Sequence, residues 1–277
     1  MSQSHDLQLH IVKLQEIRSI LTAMKNLALI EAHKLARFQP LQSQTVAAIE
    51  LAASDFLNFY PQLATADRLA QSVCIMVGTE RGFCGDFNEK IINADKGQAH
   101  SRVIAIGTRL ANKLAGSVFE PVTTLTGANV AEEVPNIVNC LIDGITPVAN
   151  HLNNHHLEIG LTAVYHDSAP LQISHRQLLP LCPQQNEANI NHHFPPLLYL
   201  KPEAFFSDLL GHYLFAALHE ILYVSLAAEN HRRLQHLEGA INHLDDGIIN
   251  LHRKSQTYRQ EEITEEIEVI LLNAENI

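Results

Sequence analysis

After Pro202 the chain runs on to Ile277 without another proline, and its apolar residues fall into a heptad seam. Leu234, Leu237, Ile241, Leu244, Ile248 and Leu251 are spaced 3, 4, 3, 4 and 3 apart, and Ser255 and Tyr258 hold the register. Ile263, Ile267, Ile270 and Ala274 continue it after a one-residue shift. That alternation is the pattern by which two helices supercoil. A helix from Glu203 to Ala274 is on the order of 100 Å long at about 1.5 Å per residue. A compact domain of this size has a radius of gyration of only about 19 Å. The helix must therefore project, and its seam needs a partner.

The other end of the chain supplies one. Leu14, Ile17, Leu21, Met24 and Ala28 are spaced 3, 4, 3 and 4 apart, and Leu35 and Phe38 resume the seam after Glu31 interrupts it. Pro40 lacks an N–H and is expected to kink or break the helix. Val46, Ile49, Ala53, Phe56 and Leu57 restart the amphipathic pattern. Two such helices at opposite ends of one chain pair antiparallel, as a rod with a base.

Between them the pattern changes. Residues 72–78, 102–107, 157–166 and 170–179 read as strands, the last two joined at Asp167-Ser-Ala. Residues 88–94 and 108–114 read as helices, and 130–152 as a longer one interrupted at Pro135 and Pro147. Alternating strands and helices predict an α/β domain with a small sheet. Residues 181–196, rich in Pro, Asn, Gln and His, read as a surface loop. The expected division is an N-terminal helix at 1–60, an α/β domain at 71–200 and a C-terminal helix at 203–277.

Composition removes several function classes. A net charge of -11 repels phosphate backbones and argues against nucleic acid as a partner. No apolar run reaches about 18 residues, so no membrane span is expected, and residues 1–10 lack the pattern of a secretory signal. The four cysteines, Cys74, Cys84, Cys140 and Cys182, form no C-x-x-C pair and read as reduced thiols of a cytoplasmic protein.

Few residues invite chemistry. Arg81-Gly-Phe-Cys-Gly85 follows a strand as a phosphate cradle does, but it lacks the lysine and spacing of a P-loop. Cys84 as a nucleophile requires a base that the sequence does not nominate. The remaining reading is a tight turn in which Gly82 and Gly85 supply unusual backbone angles. His151 and His155 are one helical turn apart and His192-His193 are adjacent, without a third zinc ligand. Glu261, Glu262, Glu265, Glu266 and Glu268 read as a solvated helix face. From Glu203 onward there are 13 acids and 5 bases, against 5 and 5 up to Tyr60, so the two helices are expected to face different surroundings.

At this point the chain resembles the gamma subunit of F-type ATP synthases over nearly its whole length. Val77-Gly-Thr-Glu-Arg-Gly-Phe-Cys-Gly-Asp-Phe-Asn88 resembles that family's strand followed by Arg-Gly-Leu-Cys-Gly-Gly-Leu-Asn. Ser19-Ile-Leu-Thr-Ala-Met24 is similar to its Lys-Ile-Thr-x-Ala-Met run, and Pro40 falls at its Arg-Pro-Tyr. Leu178-Leu-Pro-Leu181 matches the end of a strand. Ala228-Glu229 with Arg232-Arg233 resembles Ser-Glu-x-x-x-Arg-Met. Arg259-Gln260, Ile263-Thr264 and Glu266 match the C-terminal signature. The departures are Asp86 for a glycine, Val269 for an acid, Asn273 for a glycine, and Glu16-Ile17 near an expected Asn-Thr.

The resemblance implies a fold and a role. The fold is a long antiparallel coiled coil with an inserted α/β (Rossmann-like) domain. The role is a non-catalytic rotor shaft, without cofactor or metal, one copy per complex. It implies alpha and beta subunits around the coiled coil, and an epsilon-type subunit and a c-subunit ring against the α/β body. Its place is peripheral, on the cytoplasmic face of a bacterial inner membrane. Met24, Arg259, Gln260 and Thr264 match positions that meet the catalytic subunits. Because Tyr258 and Ile263 belong to the seam, Arg259 and Gln260 are expected to point away from it. The departures favour a divergent type, such as a sodium-translocating ATPase acting mainly as an ATP-driven pump. Two rivals stay open: a Rossmann-like nucleotide binder, for which no G-x-G-x-x-G follows Val73–Val77, and a coiled-coil tether.

Overall fold

The computed structural model describes residues 3–63, 69–95, 102–115, 121–153, 158–167, 172–181 and 194–275. Helix α1 spans Gln3–Phe59 and α5 spans Pro202–Glu275. Between them lie β1 (Leu69–Val77), α2 (Phe87–Ala94), β2 (Arg102–Ile106), α3 (Thr108–Leu114), β3 (Pro121–Leu125), α4 (Val134–Asn153), β4 (Glu158–His166) and β5 (Ile173–Leu179). The chain divides into two compact units. One is formed by 1–29 with 234–277, the other is Ile30–Arg233.

In the first unit α1 and α5 pack on Leu21, Leu237 and Ile241, with Met24, Ala240 and Leu244 half-buried around them. Two ion pairs set the direction. Arg18 holds Asp245 through Nε and Nη2 at 2.5 and 3.2 Å, and Lys25 Nζ lies 3.3 Å from Glu238. Seven residues forward on one helix match seven backward on the other, which is an antiparallel pairing one heptad apart. The seam differs in detail from its expected membership. Ile11, Leu21 and Ala28 are buried, whereas Ile17 and Tyr258 are exposed. Ile263, Ile267 and Ile270 are exposed too, because Ser4 already lies opposite Glu262, its N–H 3.4 Å from Oε1. Among the described residues, α1 has no position left to cover them.

The second unit holds a five-stranded sheet in the order β3-β2-β1-β4-β5. β1 pairs in parallel with β2 and β4, β2 with β3, and β5 closes the edge antiparallel to β4. A central parallel strand is covered on both faces, so Val73–Val77 is wholly buried. Side chains alternate between the faces. Val73, Ile75 and Val77 meet Ile104, Leu161, Val138 and Leu141 and the α5 residues Tyr213, Ala217, Ile221 and Leu222. Cys74 and Met76 meet Phe87 and Ile91 of α2 and Leu110 and Leu114 of α3.

Three expectations are corrected here. β3 has no counterpart among the expected strands; it is five residues long and opens with a proline at the sheet edge, where a missing N–H is tolerated. Pro40 lies inside an unbroken α1. Its ring is exposed, while Leu35 and Val46 on either side are buried in the core, and that burial outweighs the roughly 3 kcal/mol cost of an internal proline. Pro135 stands in the first turn of α4, where its N–H is not needed, and α4 also continues through Pro147. Finally, α5 contains an 18-residue stretch of mean hydropathy 1.3, long and apolar enough to cross a membrane by composition. Half of that stretch is buried in the protein, and Tyr213, Ala216, Leu218, Ile221 and Leu226 of the same helix pack in the core under the sheet.

Candidate functional site

A parallel sheet gathers its loops at the C-terminal ends of its strands. A crevice opens there where successive connections turn opposite ways, between β1 and β4 in this order. Here that crevice is filled by the chain itself. The Phe87 ring lies 3.8 Å from that of His166, whose Nε2 is 2.9 Å from Phe87 O. Burial holds the His166 imidazole below its ordinary pKa. Asn88 Oδ1 accepts the Thr79 N–H at 3.0 Å, and its Nδ2 donates to Thr79 Oγ1 at 2.9 Å. Gly78 makes this closeness possible: a Cβ there would stand 2.4 Å from the Leu110 Cβ.

The next residue, Glu80, ties three loops together. Its Oε2 accepts the N–H of Thr108 at 2.9 Å and of Gly127 at 2.8 Å, and its Oε1 accepts the Thr108 hydroxyl at 2.7 Å. Burial pushes this carboxyl up, but the hydrogen bonds from Thr108 and Gly127 outweigh it and hold Glu80 below the usual carboxylate range. A carboxylate thus stands at the start of α3, where the free N–H groups of a helix N-terminus favour an anion.

The turn at residues 81–86 is built differently from its sequence reading. Phe83 at φ 66 and Gly85 at φ 61 take the left-handed conformation; Gly82 does not. Among backbone N–H groups that a phosphate cradle would need, that of Thr79 is taken by Asn88 and that of Arg81 by Glu229. Cys84 is buried, its Sγ 3.5 Å from Gly82 O and 4.0 Å from Glu229 Oε1. Burial and the Glu229 charge push its thiol up to about 12, the opposite of what a nucleophile requires.

Facing this turn, α5 presents a buried polar cluster. Arg233 donates Nη2 to Glu229, Nη1 to Asn230 Oδ1 at 2.8 Å and Nε to Gly82 O at 3.4 Å. Burial pushes the Glu229 carboxyl up to about 7 against the pull of Arg233. Nearer the surface, Asp86 lies 2.9 Å from Lys90 and 3.2 Å from Arg232, and the Lys90 hydrogen bond leads in holding it below its ordinary value. The departure from the family's glycine at Asp86 therefore has its own partner.

The four residues expected to meet catalytic subunits are not gathered in one place. Met24 is half-buried beside Leu237 and Ile241. Arg259 is exposed, yet it lines a groove with Ile11, Val12, Gln15, His252 and Ser255, so it stands beside α1 and does not point straight away from the seam. Gln260 is exposed, and its carbonyl accepts the Thr264 hydroxyl at 2.8 Å. The side chain of His151 is not described, and His155, His192 and His193 lie outside the described residues. Among the described residues no three metal-ligating side chains gather.

Glu80 and Arg176 carry no local sequence signal of their contacts, because their partners are distant in the chain. Glu31 did leave a signal, a charge at a seam position. Its Oε1 accepts the Ala131 N–H at 2.5 Å.

Comparison with known proteins agrees with this architecture. The ATP synthase family model matches residues 3–277. The chain is 22% identical over 286 residues to the ATP synthase gamma chain of Chlorobaculum tepidum, covering 95% of this chain and 96% of that one. With the ATP synthase gamma chain of Chlorobaculum parvum the identity is 23% over 295 residues, with the same coverage of 95% and 96%. Its fold is similar to a chain of the Euglena gracilis mitochondrial ATP synthase rotor, with TM-score 0.62, 12% identity and coverage of 94% and 98%. It is also similar to a chain of the Tetrahymena thermophila mitochondrial ATP synthase central stalk and c-ring, with TM-score 0.56, 14% identity and coverage of 80% and 99%. Over nearly its whole length the chain belongs to the ATP synthase gamma family, the gamma subunits of the F-type central stalk.

Proposed function

We propose that this chain is the rotating shaft that couples ion translocation through a membrane ring of c subunits to ATP synthesis or hydrolysis on a hexamer of alpha and beta subunits. The observation that carries the reading lies in the paired chain ends. Ile20, Leu27 and Ile249 are 60%, 64% and 49% exposed on helices already joined by their own seam. Apolar side chains repeated along the outside of a coiled coil call for an enclosing partner. An enclosed shaft acts by contacting its surrounding sites unequally, which is what drives a population shift among them. Met24, Arg259, Gln260 and Thr264 are the contacts assigned to the catalytic subunits. The α/β unit is assigned to an epsilon-type subunit and the c ring, with one copy of the chain per complex, peripheral on the cytoplasmic face of a bacterial inner membrane.

Asp86, matched by Arg232 in place of a family glycine, favours a divergent member. A sodium-translocating, ATP-driven pump is the form of the proposal tested beside the proton form. The experiment is to purify the complex through a tag on this chain and assay it in sealed vesicles. Recovery of alpha, beta and c subunits supports the shaft reading; recovery of the chain alone overturns it. ATP-driven movement that requires sodium and survives a protonophore assigns sodium, and collapse under the protonophore assigns the proton.

A further inference from the structure

The loops at the C-terminal edge of the sheet, where open α/β sheets carry ligands, here hold the two long helices by buried charges. Within the unit Ile30–Arg233, Glu31 is the second residue of α1 and Arg233 the last of α5. Glu31 is only 8% exposed and accepts the Ala131 N–H at 2.5 Å, and the adjacent Lys34 pairs with Glu132. Arg233 is 7% exposed and spends its guanidinium on Gly82 O, Asn230 and Glu229. Glu80 joins the two grips, because it fastens Gly127, on the loop leading to Ala131, and adjoins Arg81, whose N–H goes to Glu229.

Apolar packing would suffice to keep both helices on the sheet. It resists large turns, which would expose buried side chains, but being non-directional it opposes small turns about the helix axis only weakly. Hydrogen bonds weaken steeply as they bend, and a charge left buried without its partner is strongly unfavourable. Grips of this kind resist small turns more stiffly than apolar contacts do. We propose that Glu31 and the Glu229–Arg233 pair, braced by Glu80, form a polar collar that fixes the rotational setting of both helices and passes torque between them and the α/β unit. The collar rests on the rotating-shaft reading. Glu31 and Arg233 are positioning residues in it and touch no nucleotide.

The test uses the whole complex in sealed vesicles, with ATP hydrolysis and ATP-driven ion movement measured on the same sample. Glu31→Ala removes the acceptor, and Arg233→Lys keeps the charge but loses the planar fork. Both are expected to assemble and hydrolyse ATP while ions moved per ATP fall about threefold or more, the effect of losing one charged hydrogen bond under load. Glu31→Gln keeps an oxygen for the Ala131 N–H and restores the ratio, which a purely structural loss would not do. An unchanged ratio in assembled Glu31→Ala and Arg233→Lys overturns the collar. Failure of both to assemble, with a matching loss of thermal stability in the isolated chain, also overturns it, because the residues then serve folding alone. A wild-type complex that moves no ions removes the shaft reading itself; a coupled wild type with equally coupled variants removes only the collar.

Discussion

Arg176 Nη1 donates to Glu220 Oε2 at 2.6 Å, tying the edge strand β5 to helix α5. Its Nη2 reaches Glu50 of α1 at 2.8 Å, so one guanidinium joins a strand to both long helices. Arg176→Ala would leave two half-buried carboxylates facing each other. The expected loss is about 2–4 kcal/mol, the range for a partly buried pair broken on one side. Urea unfolding at pH 7 measures it, and a loss within 0.5 kcal/mol, the level of about an ordinary surface change, would show that water satisfies both carboxylates.

Glu80 makes stability depend on acid. Its folded pKa lies below the unfolded one, so the ionised carboxylate stabilises the fold above about pH 4.3 and that contribution is lost as pH falls through the folded value. Glu80→Gln should be less stable by about 1–2 kcal/mol near neutrality, and its melting temperature should converge on wild type below about pH 4. Parallel melting curves across that range would contradict the role given to its three hydrogen bonds.

Burial separates two leucines that look alike in the heptad pattern. Leu237 is fully buried against Leu21 and Ile241, whereas Leu244 is only half-buried. Leu237→Ala should cost about 2–5 kcal/mol and Leu244→Ala distinctly less. Thermal melts of the two variants side by side test this, and the reverse order would mean that the helices pair in another register.

Cys84 should be inert. With its thiol pushed up to about 12, roughly one molecule in ten thousand carries the thiolate at pH 8. Cys140 on α4 is exposed. Iodoacetamide followed by peptide mass spectrometry should find Cys140 modified in the folded chain and Cys84 modified only after denaturation.

In the assembled complex, Arg259→Ala and Gln260→Ala are expected to impair coupling more than assembly. On the rotating-shaft proposal, a charged hydrogen bond in an enclosed site is worth about 1.5–3 kcal/mol, small beside the proposed binding to the surrounding subunits, yet equivalent to a roughly ten- to hundredfold change in rate. Normal ATPase and ion pumping in both variants would remove these residues from the contact.

The long helices and their antiparallel pairing were legible because a heptad repeat is a local signal multiplied over many turns. The same holds for β1 and β2, whose continuous apolar runs announce strands buried on both faces. Within the seam, however, Ile17 and Ile11 carry the same chemistry, and only the packed pair decides that Ile11 lies inside and Ile17 outside. Pro40 reads as a break because local rules see one lost hydrogen bond and not the buried Leu35 and Val46 that hold the helix on either side. Glu31 reads only as an interruption of the seam and Glu80 and Glu229 as motif acids, and their meaning lies in partners far along the chain: Ala131, Gly127 and the Arg81 N–H. Sequence alone determines where the strongly periodic helices and the continuous apolar strands form, since periodicity acts between near neighbours; the short edge strand β3 carries no such signal. Which charged groups are buried, and what they grip, only the tertiary structure decides, since a buried charge is tolerable only where the fold brings it a partner.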